Sequence, residues 1–302
     1  MSIRQHTRCI MEYWQLKQRQ SLPLEVKINL TKQRIREWLN EYDAYVSFSG
    51  GKDSTVLLHL ARQVDKHIVA VFVNTGLEYP ENVDFVKTID NVLWLRPEKS
   101  FKDVIEKCGY PVISKSTAQY IEEARTTKSD KLREIRLHSP ERYKRIPAKW
   151  LYLLNAPFKI SDKCCYWLKK RPGRQYQRET QNYPIFGTTS GESATRLEQY
   201  RKYGCNRYKQ KQSHPMSFWT SDDVWKYIRE NNLSYSKLYD MGWERSGCMF
   251  CMFGVHLEKE PNRFQLMYNT HPKLWDYCMN KLGCGLVLDY IDVPCKPQLT
   301  LF

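Results

Sequence analysis

No apolar run in this 302-residue chain approaches the roughly 20 residues that a helix needs to cross a bilayer, which excludes a helical membrane span. The stretch Met1 to Gln20 is polar and aromatic, without the apolar core of an export signal. The expected location is therefore the cytoplasm, with no membrane partner. Without export, ten cysteines point to reduced thiols, a metal or a cluster and away from a disulfide scaffold. Internal repeats, low-complexity tracts and clear linkers are also missing, which excludes a solenoid and favours one integrated unit with an elaborated C-terminal half. Acidic residues are scarce: 33 Asp and Glu face 48 Lys and Arg, for a net charge of +15 and a pI near 9.3. Such a balance implies a polyanionic partner, nucleic acid first. The competing explanation is a basic surface that keeps the protein soluble or attracts a small anionic nucleotide.

The chain is organised around Ser47-Phe48-Ser49-Gly50-Gly51-Lys52-Asp53-Ser54. Upstream, Ala44 to Phe48 has the β-branched and aromatic character of a short buried strand; downstream, Val56, Leu57, Leu60 and Ala61 recur at helical spacing. Two glycines let the backbone approach a ligand, and the free N–H groups and dipole of the helix start favour an anion. Lys52 adds a cation, and Ser49 and Ser54 add hydroxyls. The common nucleotide loop is excluded, because Val46 stands where it needs glycine and Asp53 where it needs Ser or Thr. A plain glycine turn with Asp53 or Ser54 as helix cap is the bland alternative.

Around this turn, residues 1–43 predict a helical lead-in, with Ile28, Ile35, Trp38 and Leu39 at helical spacing and Thr31 as a cap. Strands are expected at Ile68–Val73 and Val92–Leu95, with helices at Asp53–Gln63 and Glu81–Thr88. The order β-α-β-α-β makes an α/β fold, a doubly wound parallel sheet whose ligands bind beyond the carboxyl ends of the strands. Asn74-Thr75-Gly76-Leu77-Glu78-Tyr79-Pro80-Glu81 leaves the second strand at that edge, and Glu81 could simply cap the next helix. Pro184 to Phe186 reads as another strand end, running into the Gly/Ser/Thr loop Gly187 to Ser193 and a helix bearing Arg196: a second anion-binding turn.

Basic clusters occupy Ser114 to Lys149, Lys169 to Arg178 and Tyr200 to Lys211, the first and third with aromatic rings among or just after them, a composition suited to phosphate contact and base stacking, or to a solvated helix face. Cys164-Cys165 and the Cys248-x-x-Cys251 pair offer four thiolates. An adjacent pair is awkward for zinc, whereas iron-sulfur clusters tolerate varied spacing, and Met249, Phe250, Met252 and Phe253 would shield one from water. Zinc and free thiols remain the alternatives, and Cys205 could replace one of the adjacent pair. Cys9, Cys108, Cys278 and Cys295 read as ordinary thiols.

The Ser-Gly-Gly-Lys-Asp-Ser turn resembles the pyrophosphate-binding PP-loop of the adenine nucleotide alpha-hydrolase-like superfamily. The Asn74–Glu81 stretch and the Gly187–Arg196 segment are similar to those of the phosphoadenosine phosphosulfate (PAPS) reductase family, with Asn74 for the usual Asp and Thr189 for a usual Arg. The cysteine pattern is similar to the 4Fe-4S pattern of assimilatory adenylylsulfate (APS) reductases. The resemblance covers about Ala44 to Tyr277 in four ordered motifs. It implies a Rossmann-like PP-loop domain over 44–215 and a helical, cysteine-rich region over 216–302 that completes a cluster held by Cys164, Cys165, Cys248 and Cys251. It places an adenine nucleotide against Ser47, Ser49, Gly50, Gly51, Lys52, Asp53, Ser54, Thr75, Gly76, Glu78, Gly187, Glu192, Ser193 and Arg196, with Lys52 and Asp53 catalytic.

The implied chemistry is attack by a substrate oxygen on the α-phosphate of ATP, with Mg²⁺, loss of pyrophosphate, and displacement of AMP by a sulfur donor on a nucleic acid. Two rivals follow. One is a sulfonucleotide (PAPS or APS) reductase served by a thioredoxin-like reductant, whose family nucleophile lies in a Glu-Cys-Gly-Leu/Ile-His tail. Cys284-Gly285-Leu286 keeps part of that tail without the Glu or the His. The other is a nucleotide- and nucleic-acid-binding iron-sulfur protein without turnover.

Overall fold

The computed structural model describes residues 10–297; Cys9 lies outside them. Its strands among these residues are short: β1 (Ala44–Phe48), β2 (Ala70–Val73), β3 (Val92–Leu95), β4 (Val112–Ile113), β5 (Tyr183–Phe186), β6 (Asn206–Arg207), β7 (Gln212–Ser213) and β8 (Met252–Phe253). They divide between two compact units that interleave in sequence. The first takes the chain up to Asn74 together with Tyr79–Leu95 and Gly173–Ser246; the second takes Thr75–Glu78, Arg96–Pro172 and the chain from Gly247. The segments 44–215 and 216–302 therefore each contribute to both units.

The first unit holds the sheet, in the order β3-β2-β1-β5-β7-β6, parallel throughout except for the β6–β7 pair. Val46 sits opposite Ala70 on one side and Ile185 on the other, and all three are fully buried. Such runs without polar alternation are what a parallel strand covered on both faces requires. The succession β1, β2, β3 proceeds outward on one side of β1 and resumes with β5 on the other. That reversal makes the carboxyl ends of β1 and β5 the topological switch point, where doubly wound folds bind ligands.

Helix Lys52–Arg62 follows β1 and buries Val56, Leu57, Leu60 and Ala61 completely, so packing rather than propensity holds it. Helix Leu24–Leu39 packs Ile35 and Trp38 into the same core. It begins after Pro23, earlier than its apolar spacing indicates, so Thr31 is no cap. Thr31 lies mid-helix with its hydroxyl accepting a hydrogen bond from Trp219 Nε1 at 2.9 Å. Pro80 occupies the first turn of helix Pro80–Lys87, where a missing N–H costs nothing, and the cap falls on Tyr79 rather than Glu81.

The second unit is mainly helical. Its sheet is only the parallel pair β4–β8. Around it stand helices Phe101–Lys107, Lys115–Thr126, Asp130–His138, Arg263–Thr270 and Cys284–Tyr290, with Val112, Ile121, Leu153, Met252, Phe264 and Met267 fully buried. Among the described residues no helix is long and apolar enough to cross a membrane.

Candidate functional site

The turn after β1 has the shape its glycines demand. Gly50 adopts φ +72°, and a Cβ there would lie 2.7 Å from Val86 Cγ2 and 2.9 Å from the Asn82 amide. That amide donates to the Ser49 carbonyl at 2.8 Å and pins the loop. Gly51 is the residue before the helix, with no side chain capping it, so the cap alternatives Asp53 and Ser54 fall inside the first turn. The Gly51 N–H donates to Ser49 Oγ at 3.3 Å and the Lys52 N–H to the Tyr239 hydroxyl at 2.9 Å. Those of Asp53 and Ser54 meet no acceptor among the described residues, as helix starts without caps leave them. Ser54 Oγ donates to the Gly51 carbonyl at 2.9 Å and lies 3.1 Å from Ser49 Oγ, so these hydroxyls brace the loop. Ser47 sits within β1, paired with Val71 and Phe186.

Charge at the turn comes from Lys52, buried and 3.2 Å from the Asp53 carboxylate, and from two arginines. Arg196 is lowered from the usual guanidinium range by burial and by Arg245, with Asp53 opposing. Two like charges held near each other beside uncapped N–H groups are features suited to an anion, with Glu192 offsetting part of the Arg196 charge.

Gly187, at the end of β5, completes the floor: a Cβ there would lie 2.8 Å from the Asp53 carbonyl oxygen and 3.0 Å from Ser54 Cα. Past it, Glu192 accepts the Thr189 N–H at 2.8 Å and pairs with Arg196, while Ser193 Oγ accepts the Arg196 N–H at 3.3 Å. Glu192 and Ser193 thus shape the second turn. His214 stacks on Phe186 with ring centroids 5.1 Å apart, and its Nδ1 is 2.8 Å from the Thr188 hydroxyl. Burial, then Arg207 and Arg196, depress His214 to about 3, so its imidazole is neutral.

Tyr239, Asn82, Arg245, His214 and Ser246, whose Oγ accepts from the Tyr239 hydroxyl at 3.4 Å, escape sequence reasoning. Tyr239 and His214 carry no local motif. Arg245 and Ser246 precede a Cys-x-x-Cys that draws attention away from them.

In the second unit, Thr75 gives its N–H and hydroxyl to Glu78, each at 2.9 Å, and Gly76 takes φ +75°. Glu78 also stands 3.9 Å from Lys169 Nζ. The sequence-predicted contacts Thr75, Gly76 and Glu78 therefore belong to the cysteine-bearing unit. Burial pushes the Cys164 thiol well up, and Cys165, Cys248 and Cys251 push it further. Cys248 is raised by burial with Lys169 opposing, and Lys169 is raised chiefly by Cys248. Four thiols and a lysine thus share one electrostatic environment.

Among the described residues, no three His, Cys, Asp or Glu side chains are gathered as a ready-made metal site. The donor chemistry, soft thiols beside buried Met249 and Phe250, suits an iron-sulfur cluster. Cys205 belongs to the first unit, near Arg34, Arg19 and Arg207, and burial raises it to about 11. Cys284 is fully buried, and it and burial raise the neighbouring Cys278 thiol.

Comparison with known proteins gives the chain's relatives. An adenosine 5'-phosphosulfate reductase of Oceanobacillus iheyensis is 26% identical over 221 residues, covering 72% of this chain and 76% of that protein. One from Staphylococcus epidermidis is 28% identical over 211 residues, 70% and 71% of the two chains. An uncharacterized protein of Methanocaldococcus jannaschii is 30% identical over 242 residues, 78% of this chain but only 46% of the longer relative. A crystal structure of phosphoadenylyl-sulfate (PAPS) reductase from Candida auris aligns over 79% of this chain and 96% of its own, with 14% identity and a TM-score of 0.44. The model of the phosphoadenosine phosphosulfate reductase domain matches residues 43–134 and 114–253, which span the switch point, both anion-binding turns and the four paired cysteines. The chain belongs to the phosphoadenosine phosphosulfate reductase domain family.

Proposed function

We propose that this protein is a PP-loop enzyme that binds ATP at Gly50–Ser54, adenylates an oxygen of a nucleic acid, and passes that position to a sulfur donor. The observation that carries the nucleotide site is the uncapped helix start at the switch point, with Lys52, Arg196 and Arg245 around it. In the proposed reaction, the acceptor oxygen attacks the α-phosphorus and the α–β phosphoanhydride bond breaks. Pyrophosphate leaves with the bonding pair, and a sulfur nucleophile later displaces AMP. Lys52 and the N–H groups of Asp53 and Ser54 would stabilise the charge growing on pyrophosphate. Mg²⁺ carried in by the phosphates would neutralise part of that charge, with Asp53 the carboxylate at hand. His214, being neutral, would hold Thr188 without adding charge.

A 4Fe-4S cluster is proposed on Cys164, Cys165, Cys248 and Cys251. When bound it would supply a sulfur or electron relay, or fix the C-terminal fold, and Lys169 would offset its thiolate charge. The acceptor reading rests on the +15 charge and the aromatic-interleaved basic clusters.

The named relatives support a second reading, reduction of a sulfonucleotide to sulfite. Full burial of Cys284 argues against the tail thiol as its nucleophile, since attack would require local opening. One assay separates the two: anaerobically purified protein given ATP with a single-stranded oligonucleotide, or given APS, with product identified. Pyrophosphate from ATP, lost in Lys52→Ala, supports adenylation. Sulfite from APS with a dithiol reductant, and no pyrophosphate from ATP, would replace it with reduction.

A further inference from the structure

The second unit contains a cleft of about 640 Å³, within the roughly 300–1,000 Å³ typical of ligand sites. It opens between helices Phe101–Lys107 and Lys115–Thr126, with residues 159–160 and the turn Tyr166–Lys170 forming its remaining wall. Its one carboxylate, Glu122, is already matched, accepting the Ser161 hydroxyl at 3.0 Å and pairing with Lys163 at 3.2 Å. Three cations are left over. Arg125 donates only to the carbonyls of Phe158 and Ala156, at 2.8 and 3.2 Å, and Lys159 to that of Glu106 at 3.3 Å. Lys107 makes no ion pair among the described residues. Carbonyl partners orient these groups without cancelling their charge.

The lining also carries two aromatic residues, Tyr166 and Trp167. Trp167 has Lys99 Nζ 3.4 Å and the Arg171 guanidinium 4.7 Å from its ring centroid. Tyr166 meets it edge-on at 5.4 Å and keeps 40% of its own surface exposed. Trp167 is thus the backing and Tyr166 the open platform. Unmatched cations lining one cleft with an exposed ring are the pairing that single-stranded nucleic acids use. Backbone charge tracks the cations while unstacked bases lie on the aromatic face, which a closed duplex does not present.

We propose that this cleft is the docking site for a single-stranded nucleic-acid segment, with phosphates on Lys107, Arg125 and Lys159 and a base stacked on Tyr166. The proposal rests on the nucleic-acid acceptor reading and deepens it. Because Lys163 and Tyr166 flank Cys164 and Cys165 in sequence, a docked strand would run beside the paired thiols.

The test is fluorescence anisotropy of a labelled single-stranded 12-mer, DNA and RNA, and its duplex, across a salt series. Single strands should bind more tightly than duplex. Lys107→Ala with Lys159→Ala should weaken binding about tenfold or more and flatten the log–log salt slope by about 1.4, near 0.7 per lost phosphate contact. Tyr166→Ala should weaken it about tenfold, and Tyr166→Phe, which keeps the ring, should restore it. Lys66→Ala with Lys273→Ala, removing two exposed cations outside the basic clusters and the cleft, should leave affinity within about twofold. Circular dichroism checks that each variant is folded. Wild-type affinity in the Lys107/Lys159 variant would overturn the cleft and leave the acceptor reading standing. Absence of binding by the wild-type protein would overturn both.

Discussion

Three glycine-to-alanine changes measure how tightly the nucleotide turn is built. Gly187→Ala adds a Cβ 2.8–3.0 Å from backbone atoms of Asp53 and Ser54, and backbone has no rotamer in which to escape. Overpacking of this kind costs about 1–3 kcal/mol. Gly50→Ala meets Val86 and Asn82 at 2.7–2.9 Å and must also hold φ +72°. The left-handed conformation adds about 1–2 kcal/mol, so this variant should lose about 2–5 kcal/mol. Gly191→Ala meets nothing within 4 Å and should be neutral to about 0.5 kcal/mol.

Urea unfolding followed by tryptophan fluorescence gives the stability order Gly191→Ala, Gly187→Ala, Gly50→Ala, from least to most destabilised. Calorimetry with a non-hydrolysable ATP analogue should give affinity losses for Gly187→Ala and Gly50→Ala only. A Gly187→Ala protein with wild-type stability and affinity would refute the close approach of β5 to the helix start, and with it the account of the site floor.

Lys52→Ala should abolish pyrophosphate release, because a buried ammonium at the helix start is lost; unchanged release would remove it from the reaction. If the proposed 4Fe-4S cluster is present, wild-type protein prepared anaerobically should hold about four irons per chain and Cys248→Ser should lose them. Unchanged iron content would strike Cys248 from the ligands. His214, depressed to about 3 against an unfolded value near 6.5, binds its proton only in the unfolded chain between those values. Stability therefore falls as pH drops from about 6.5 toward 3, by up to about 1.4 kcal/mol per pH unit from this group. His214→Gln should flatten that slope; an unaltered slope would show that the imidazole is not buried as described.

Much of the first unit was legible in the sequence because its signals are local. Val92–Leu95 matches its strand, and β1 was marked by Ala44–Phe48 running into two glycines. Helix Lys52–Arg62 differs from its expected bounds by one residue at each end. The side-chain partners of the turn were not legible, since Tyr239 meets Lys52 across 187 residues and nothing in either neighbourhood encodes the meeting. Thr31 misled for a related reason: a threonine suited to capping is drawn mid-helix by Trp219, a tertiary partner 188 residues away. The interleaving of the units, with Thr75–Glu78 crossing into the second, depends on long-range contacts that composition does not register.

The most direct measurement of the central claim is to follow the label from α-³²P-ATP in a reaction with a single-stranded oligonucleotide and no sulfur donor. The account predicts labelled AMP bound to the oligonucleotide, released pyrophosphate, and neither product with Lys52→Ala. Label that never joins the oligonucleotide, with sulfite formed from APS by the same preparation, would contradict adenylation of a nucleic acid.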